Sequence, residues 1–251
     1  DSEFTDPSGP GRINLFGGGG AAGSGAVIGS STPTQASLIS SSATLNSYDV
    51  LMLPCEGSAY VKPAAELANL VTFANSGGRI YASHFSYDWM DSNPPFNGVA
   101  NWVGGTASNS ITPDPGIATV DTSFTAGQTL QTWLQEVGAT STPGQMSLST
   151  LRKDTAGVIA PTQSWLALNN ANYGNPVMQF VFDTPIPPAG TTVNQCGRVL
   201  YNEYHVENGS SSAGESFPAE CSSASAAMTP QEKLLEYMLF ELTDEGGQTS
   251  L

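Results

Sequence analysis

Basic residues are scarce in this chain. Lys and Arg number 7 among 251 residues, against 22 Asp and Glu, which gives a formal net charge of −15. A field of this sign repels nucleic acid and anionic membranes, so neither is an expected partner. The sequence also lacks any apolar run near the ~18–20 residues that a membrane helix needs, and we expect no membrane insertion.

Charged residues of either sign are few. They make up 12% of the chain, about half of the roughly 25% that is usual in soluble domains. Gly, Ser, Thr, Ala and Asn fill the predicted surface instead. This composition is typical of extracellular proteins, so we expect a secreted protein. The length suits one large domain, residues 1–251, with a substantial core.

Cysteine is also rare, and its count is odd. The three cysteines are Cys55, Cys196 and Cys221. Cys196 and Cys221 flank a loop rich in Gly and Ser, and a disulfide between them would close about 25 residues and contribute roughly 3 kcal/mol on the chain-entropy model. Three free buried thiols are the alternative. If Cys196 and Cys221 are bridged, Cys55 stays unpaired or pairs with a residue upstream of this sequence.

Two segments carry the pattern of a parallel α/β sheet. An apolar run over residues 48–54, ended by proline, predicts a strand buried on both faces. Apolar residues at helical spacing predict a helix over 63–75, and residues 79–83 form the next strand. Such a unit makes a right-handed parallel crossover. A further buried strand is predicted over 197–204, and a last helix over 229–242 begins with a capping-box sequence.

The remaining segments are less regular. Residues 1–11 are predicted to be an extended lead-in, and residues 13–16 a short strand. From about 90 to 196, Pro and Gly are frequent and the β-like runs are short. We expect an antiparallel β-rich insertion packed beside the sheet there. The predicted fold class is therefore α/β, with a mostly parallel sheet flanked by helices and this insertion.

The only two histidines follow predicted buried strands. His84 comes directly after the strand at 79–83, and His205 comes after the strand that begins at 197. In open parallel sheets, ligands bind at the carboxyl ends of the strands. If the two strands are neighbours, both imidazoles face one crevice.

Several carboxylates are expected at the same place. In an extended segment Glu203, His205 and Glu207 share one face, because side chains alternate with a period of two. Glu56, just beyond the first strand, and Asp88 lie within reach of the same rim. These four carboxylates are the candidate binding residues.

A cluster of this composition supports more than one chemistry. His84, His205 and Glu203 are candidate ligands of a divalent metal such as Zn²⁺ or Ca²⁺, which would activate a water molecule. Alternatively, His84 and His205 are catalytic residues that exchange protons with a substrate, since histidine titrates near pH 6.5 (about its unperturbed pKa). In a third interpretation both histidines are structural.

The order of these elements resembles a known superfamily. Residues 48–54 (YDVLMLP), a helix, and residues 77–84 (GGRIYASH) resemble the class I glutamine amidotransferase-like fold, and within it the ThuA-like (trehalose utilisation) branch. Residues 197–201 (GRVLY) followed by His205 are similar to the late strand and second histidine of ThuA-like proteins. The resemblance covers about 48–90 and 197–242. The chain is also similar to a poorly characterised group of secreted bacterial proteins.

The resemblance implies a flavodoxin-like or amidotransferase-like architecture, but not glutamine hydrolysis. In the amidotransferases the turn after the second strand carries a nucleophilic cysteine, and His84 stands there in this sequence. The first functional hypothesis is therefore a non-catalytic extracellular module for binding or assembly. The alternative is a metal-assisted hydrolase or a carbohydrate-modifying enzyme that uses the His84/His205 crevice.

Two further expectations concern partners. The four tryptophans either line a platform for a carbohydrate ligand or pack in the core; they are Trp89, Trp102, Trp133 and Trp165. The strand at 13–16 would leave a sheet edge with unpaired backbone groups, which proteins rarely leave uncovered. We expect the lead-in at 1–11, a separate upstream segment, or a neighbouring subunit to cover that edge, the last giving self-association.

Overall fold

The computed structural model describes residues 3–18, 29–104, 109–206 and 228–243. The strands are β1 Phe4–Thr5, β2 Ile13–Asn14, β3 Val50–Leu53, β4 Arg79–Ser83, β5 Ala100–Trp102, β6 Gly116–Val120, β7 Gln145–Leu148, β8 Thr155–Val158, β9 Gln163–Leu168, β10 Val177–Thr184 and β11 Gly197–Asn202. The helices are α1 Gln35–Ile39, α2 Ser42–Leu45, α3 Ala64–Asn75, α4 Thr125–Glu136 and α5 Pro230–Thr243.

Seven of the strands form one mixed sheet in the order β3-β4-β11-β10-β9-β6-β7. The pairs β3/β4 and β4/β11 are parallel, whereas the pairs from β11 to β7 are antiparallel. The prediction of an α/β fold with a helix-flanked sheet is confirmed, but within this sheet parallel pairing is confined to three strands.

The expected β-rich insertion does not pack beside the sheet as a separate layer. Strands β6, β7, β9 and β10 extend the same sheet, and only β5 and β8 pair separately as a two-stranded antiparallel sheet. Antiparallel neighbours need no helical crossover, which is why the sequence over this region lacks a regular alternation of strands and helices. Buried strands of either pairing type have the same apolar composition, so the sequence did not distinguish them.

The helices predicted over 63–75 and 229–242 are both present. The helix expected over 63–75 is α3, preceded by Pro63 and followed by Gly77 at a φ of +104°. The capping box before α5 also forms, because Thr229 Oγ1 accepts the Glu232 N–H at 3.2 Å and the Glu232 carboxylate accepts the Thr229 N–H.

The core consists of two apolar clusters. Because side chains alternate along a strand, one cluster lies on each face of the sheet. Buried residues of α4 and α5 pack on one face: Leu130, Leu134, Leu234, Met238 and Leu242. Buried residues of α1, α2 and α3 pack on the other: Leu38, Ile39, Leu45, Leu70, Phe73 and Ala74. Each large apolar side chain that is fully buried contributes about 1.5–3 kcal/mol of transfer free energy, so both helical layers hold the sheet in place.

The amino-terminal strands do not join the large sheet. Phe4 pairs with Ile13 and Thr5 with Asn14, in a parallel two-stranded ribbon. A strand of the lead-in therefore lies beside the strand that was predicted at 13–16. The edge strands of the large sheet are β3 and β7 instead. Self-association, or a partner segment at the amino-terminal edge, stays a prediction.

The structure bears on two predictions from the sequence, the Cys196–Cys221 disulfide and the absence of membrane insertion. Cys55 and Cys196 are free thiols. The predicted Cys196–Cys221 bridge is not seen, and Cys221 lies outside the described residues. Among the helices of the described ranges, none has the length and apolar character to cross a membrane.

Candidate metal centre

Three strand ends bring the candidate residues together. The register pairs Leu53 of β3 with Ala82 of β4, and Ser83 of β4 with Asn202 of β11. The three strands are parallel, so their carboxyl ends lie at one edge of the sheet. Cys55 follows β3, His84 follows β4, and His205 follows β11. The fold therefore places one side chain from each strand end in a single cluster.

The three side chains are in contact. Cys55 Sγ lies 3.2 Å from His84 Nδ1, and the rings of His84 and His205 are 4.2 Å apart between centroids. One ligand atom from each of the three residues lies within 4.8 Å of the others. His84 is buried, whereas Cys55 and His205 are half-buried. The buried His205 Nε2 has no hydrogen-bond partner among the described residues. This arrangement has the composition of a metal centre.

The backbone at His84 has an unusual conformation. His84 has a φ of +54°, in a tight turn between β4 and the 3₁₀ turn His84–Trp89. A non-glycine residue in the left-handed region costs about 1–3 kcal/mol and persists where its surroundings enforce it. Such a turn directs the His84 side chain toward Cys55 and His205, which a continued strand would not do.

Burial and local charge keep both imidazoles neutral. Burial, together with the nearby His205 and Arg152, lowers the pKa of His84 to about 2. Burial, followed by Arg152, also lowers the pKa of His205. Burial raises the pKa of Cys55, against the effect of the backbone N–H groups of Phe85 and Gly57. Without a bound metal the cluster therefore contains a neutral thiol and two neutral imidazoles.

Glu203 does not join this cluster. Its carboxylate accepts the Asp154 N–H, with Oε1 at 3.0 Å and Oε2 at 3.1 Å, and the residue is fully buried. Burial and the neighbouring Asp154 raise the pKa of Glu203 well above its ordinary value. Strand β11 ends at Asn202, so the alternation that was expected to put Glu203 and His205 on one face does not continue. Glu207 lies outside the described residues.

Glu56 and Asp88 lie in a second polar cluster around Lys62. Lys62 Nζ forms an ion pair with Glu56 and another with Asp88 at 3.4 Å, and all three side chains are buried. Glu56 also accepts the Trp89 Nε1–H at 2.8 Å, and Asp88 accepts the Tyr60 N–H at 2.7 Å. This Lys62 cluster ties the loop at residues 54–63, which carries Cys55, to the turn that carries His84.

The pKa of Asp88 is strongly raised. Burial raises the pKa of Asp88 to about 7, against the opposing effects of the Tyr60 N–H and Lys62, while Glu56 raises it. Its Oδ1 atom is buried and without a hydrogen-bond partner among the described residues. Asp88 is thus partly protonated near neutral pH.

Two residues of the site were missed in the sequence. Cys55 was considered only for a disulfide, although it follows a buried strand as the histidines do. Arg152 is buried, forms a bidentate ion pair with Asp154 at 2.7 and 2.9 Å, and lies 3.8 Å from the centroid of the Phe85 ring. Strand-end position would have identified Cys55. Arg152 lies in the segment after β7, which comes near the end of β11 only in the folded chain. The sequence around Arg152 therefore gave no sign that it belongs to the site.

The four tryptophans pack among other side chains. Trp89 and Trp165 are buried. The Trp102 ring contacts those of Tyr87, Phe180 and Tyr201, and Trp133 contacts Tyr237. A carbohydrate ligand stays a prediction.

Comparisons with known proteins show likeness only among solved structures. No protein-family model matches the chain, and no curated protein matches it. A cytoplasmic protein from Salmonella typhimurium superposes with 11% identity and a TM-score of 0.46, over 80% of this chain and 74% of that one. A protein described as ThuA-like from Bacteroides uniformis superposes with 13% identity and a TM-score of 0.44, over 82% of this chain and 74% of that one. These likenesses concern the fold alone.

Proposed function

We propose that the protein is a zinc-dependent hydrolase whose metal ligands are Cys55, His84 and His205. The proposal rests on the approach of their three ligand atoms to within 4.8 Å of one another. Zinc binds sulfur at about 2.3 Å and nitrogen at about 2.0–2.1 Å, so its tetrahedral ligand atoms lie roughly 3.3–3.7 Å apart. Small side-chain rotations would bring the three atoms to these separations.

The donor set favours a transition metal. Thiolate and imidazole suit Zn²⁺, whereas Ca²⁺ requires six to eight oxygen ligands. The Ca²⁺ alternative from the sequence depended on carboxylates, and Glu203 is turned toward Asp154 instead. A histidine must be neutral to bind a metal, and burial lowers the pKa of both His84 and His205.

A cysteine–histidine nucleophile is the competing interpretation of the 3.2 Å contact between Cys55 Sγ and His84 Nδ1. That chemistry needs a thiolate beside an imidazolium. Here the pKa of the thiol is raised and the pKa of the imidazole is lowered, both chiefly by burial, so the neutral pair is favoured. A bound cation reverses this preference because it deprotonates a coordinating thiol. The metal centre therefore fits the electrostatics better.

Three protein ligands with an open fourth position are the pattern of catalytic zinc, which supplies a water molecule of lowered pKa. In this chain Cys55 and His205 are half-buried and His84 is buried, so solvent has access to the cluster at Cys55 and His205. By the resemblance of residues 77–84, His84 stands where the amidotransferases carry their nucleophile. We propose an amidotransferase-like origin for the fold without glutamine hydrolysis, in a secreted protein.

Zinc content and thermal unfolding test the proposal. Protein purified without added metal should take up one Zn²⁺ per chain. At a free zinc concentration of 1,000 times Kd, zinc adds about 4 kcal/mol of stability, which is roughly 8–16 °C in Tm for a chain of this size. Cys55→Ser should abolish most of the shift, and Cys196→Ser, at an exposed thiol, should retain it.

Three results would count against the proposal. A chain without metal that gains no stability from Zn²⁺ removes the metal centre. If Cys55→Ser and Cys196→Ser lose the zinc-induced rise in Tm equally, the zinc does not bind at the proposed centre. Zinc binding without chelator-sensitive turnover of chromogenic ester and amide substrates would remove the hydrolase activity and favour the non-catalytic binding or assembly role.

A further inference from the structure

In both histidines of the proposed centre, the backbone carbonyl is held by a hydrogen bond that metal binding itself does not require. The backbone carbonyl of each accepts a hydrogen bond from a side chain of another part of the fold. Tyr201 on β11 donates to the carbonyl of His84, and Gln231 in the first turn of α5 donates to the carbonyl of His205. Each donor is buried.

Tyr201 fixes the strained turn. Its Oη lies 2.7 Å from the His84 carbonyl oxygen and 3.3 Å from Glu203 Oε2. A hydroxyl has one proton, and the shorter contact, to His84, receives it. The Tyr201 ring packs against Phe180 and Trp102, at centroid distances of 5.2 and 5.7 Å. The ring therefore has no room to swing away, and the hydrogen bond holds His84 at its positive φ.

Gln231 is fixed on both sides of its amide. Its Oε1 accepts the Ser149 N–H at 3.0 Å and the Ser149 hydroxyl at 2.8 Å. Its Nε2 donates to the His205 carbonyl and, at 3.3 Å, to the Ser149 carbonyl. Ser149 follows β7, at the far edge of the sheet. Because β11 ends three residues before His205, the strand itself does not fix this residue. The Gln231 amide instead links the His205 backbone to α5 and to the segment after β7.

We propose that Tyr201 and Gln231 are positioning residues of the metal centre, which orient the two imidazoles by fixing the backbone from which each projects. This inference rests on the proposed function. Outer-sphere groups that orient metal ligands typically change metal affinity by about 10–100-fold when they are removed. Neither residue touches the proposed ligand atoms, so their effect would come only through the histidine backbones.

Cobalt binding provides the test, because a Co²⁺–thiolate centre absorbs in the near-ultraviolet and visible range. Apo protein is titrated with Co²⁺ as wild type, Tyr201→Phe, Gln231→Leu and the control Tyr237→Phe. Tyr237 is buried, and its hydroxyl contacts the Ala126 carbonyl and the Glu241 carboxylate, so the control also loses one buried hydroxyl but no bond to a segment that carries a proposed ligand. We expect Tyr201→Phe and Gln231→Leu each to bind Co²⁺ about 10–100-fold more weakly, with shifted visible bands. Tyr237→Phe should bind like wild type.

The outcomes separate the two proposals. A wild-type protein that binds no Co²⁺ overturns the metal centre, and the positioning role with it. Tight binding by wild type together with affinities within twofold for both variants overturns the positioning role alone. Equal weakening in Tyr237→Phe would also overturn it, because the effect would then be a general consequence of losing a buried hydroxyl. Gln231→Leu gives an independent result if Tyr201→Phe does not fold.

Discussion

Lys62 is the cation on which the loop carrying Cys55 depends, and its removal gives a prediction with a calculable size. Lys62 Nζ lies between the carboxylates of Glu56 and Asp88 and 4.5 Å from the centroid of the Trp89 ring. Lys62→Met keeps most of the side-chain volume but leaves two buried carboxylates without their cation. Breaking a buried ion pair in this way costs about 3–5 kcal/mol.

For a chain of this length, about 1 kcal/mol corresponds to roughly 2–4 °C in Tm. We therefore expect Lys62→Met to lower Tm by roughly 6–20 °C at pH 8, measured by thermal unfolding of the metal-free protein. The loss should be smaller at pH 5, because Asp88, whose pKa is raised to about 7, is then protonated and needs no cation.

Lys233→Met is the matched control. Its ammonium donates to the carbonyl of Val137 and forms no ion pair with a carboxylate of the described residues, so we expect a stability loss of about 1 kcal/mol. The double variant Lys62→Met/Asp88→Asn should recover part of the lost stability at pH 8. A Tm for Lys62→Met within 2 °C (roughly 1 kcal/mol) of wild type, or an equal loss at pH 5 and pH 8, would refute the reasoning.

Further predictions concern pH and packing. Between about pH 4 and 7 the folded state binds a proton at Asp88 that the unfolded state has released. Wild-type stability should therefore fall as the pH rises through this range, by at most about 4 kcal/mol. Asp88→Asn should flatten this pH dependence in urea unfolding, and an unchanged profile would contradict the raised pKa of Asp88. A methyl group at Gly197 would lie 1.8 Å from the Ala74 carbonyl oxygen and 2.3 Å from Thr184 Oγ1. Gly197→Ala should therefore displace β11 and lower Tm by several degrees. A variant as stable as wild type would contradict this prediction.

Strand-end reasoning predicted much of this arrangement. Residues 48–54 and 79–83 were expected to be buried parallel strands, and they contain β3 and β4. The two histidines were expected to lie together if β4 and β11 were neighbours, and the parallel register of these strands brings the rings to 4.2 Å. Local apolar composition and turn residues were sufficient for these elements because each one is continuous in the sequence.

Other features depend on pairing between distant segments. The seven-stranded sheet places β11 between β4 and β10, which no local pattern specifies. Glu203 was expected to point with His205, but the strand ends before it and its carboxylate turns to Asp154. The partnership of Lys62 with Glu56 and Asp88 joins a loop to a turn across the fold. Hydrogen bonds and charges of this kind are decided by tertiary structure, so sequence periodicity does not contain them.

X-ray absorption spectroscopy at the zinc edge tests the central claim most directly. Protein loaded with one Zn²⁺ per chain should show one sulfur scatterer at about 2.3 Å and imidazole nitrogens at about 2.0–2.1 Å. The sulfur contribution should disappear in Cys55→Ser and remain in Cys196→Ser. A zinc environment of oxygen and nitrogen alone in the wild-type protein, or a sulfur signal that survives Cys55→Ser, would contradict a centre built from Cys55, His84 and His205.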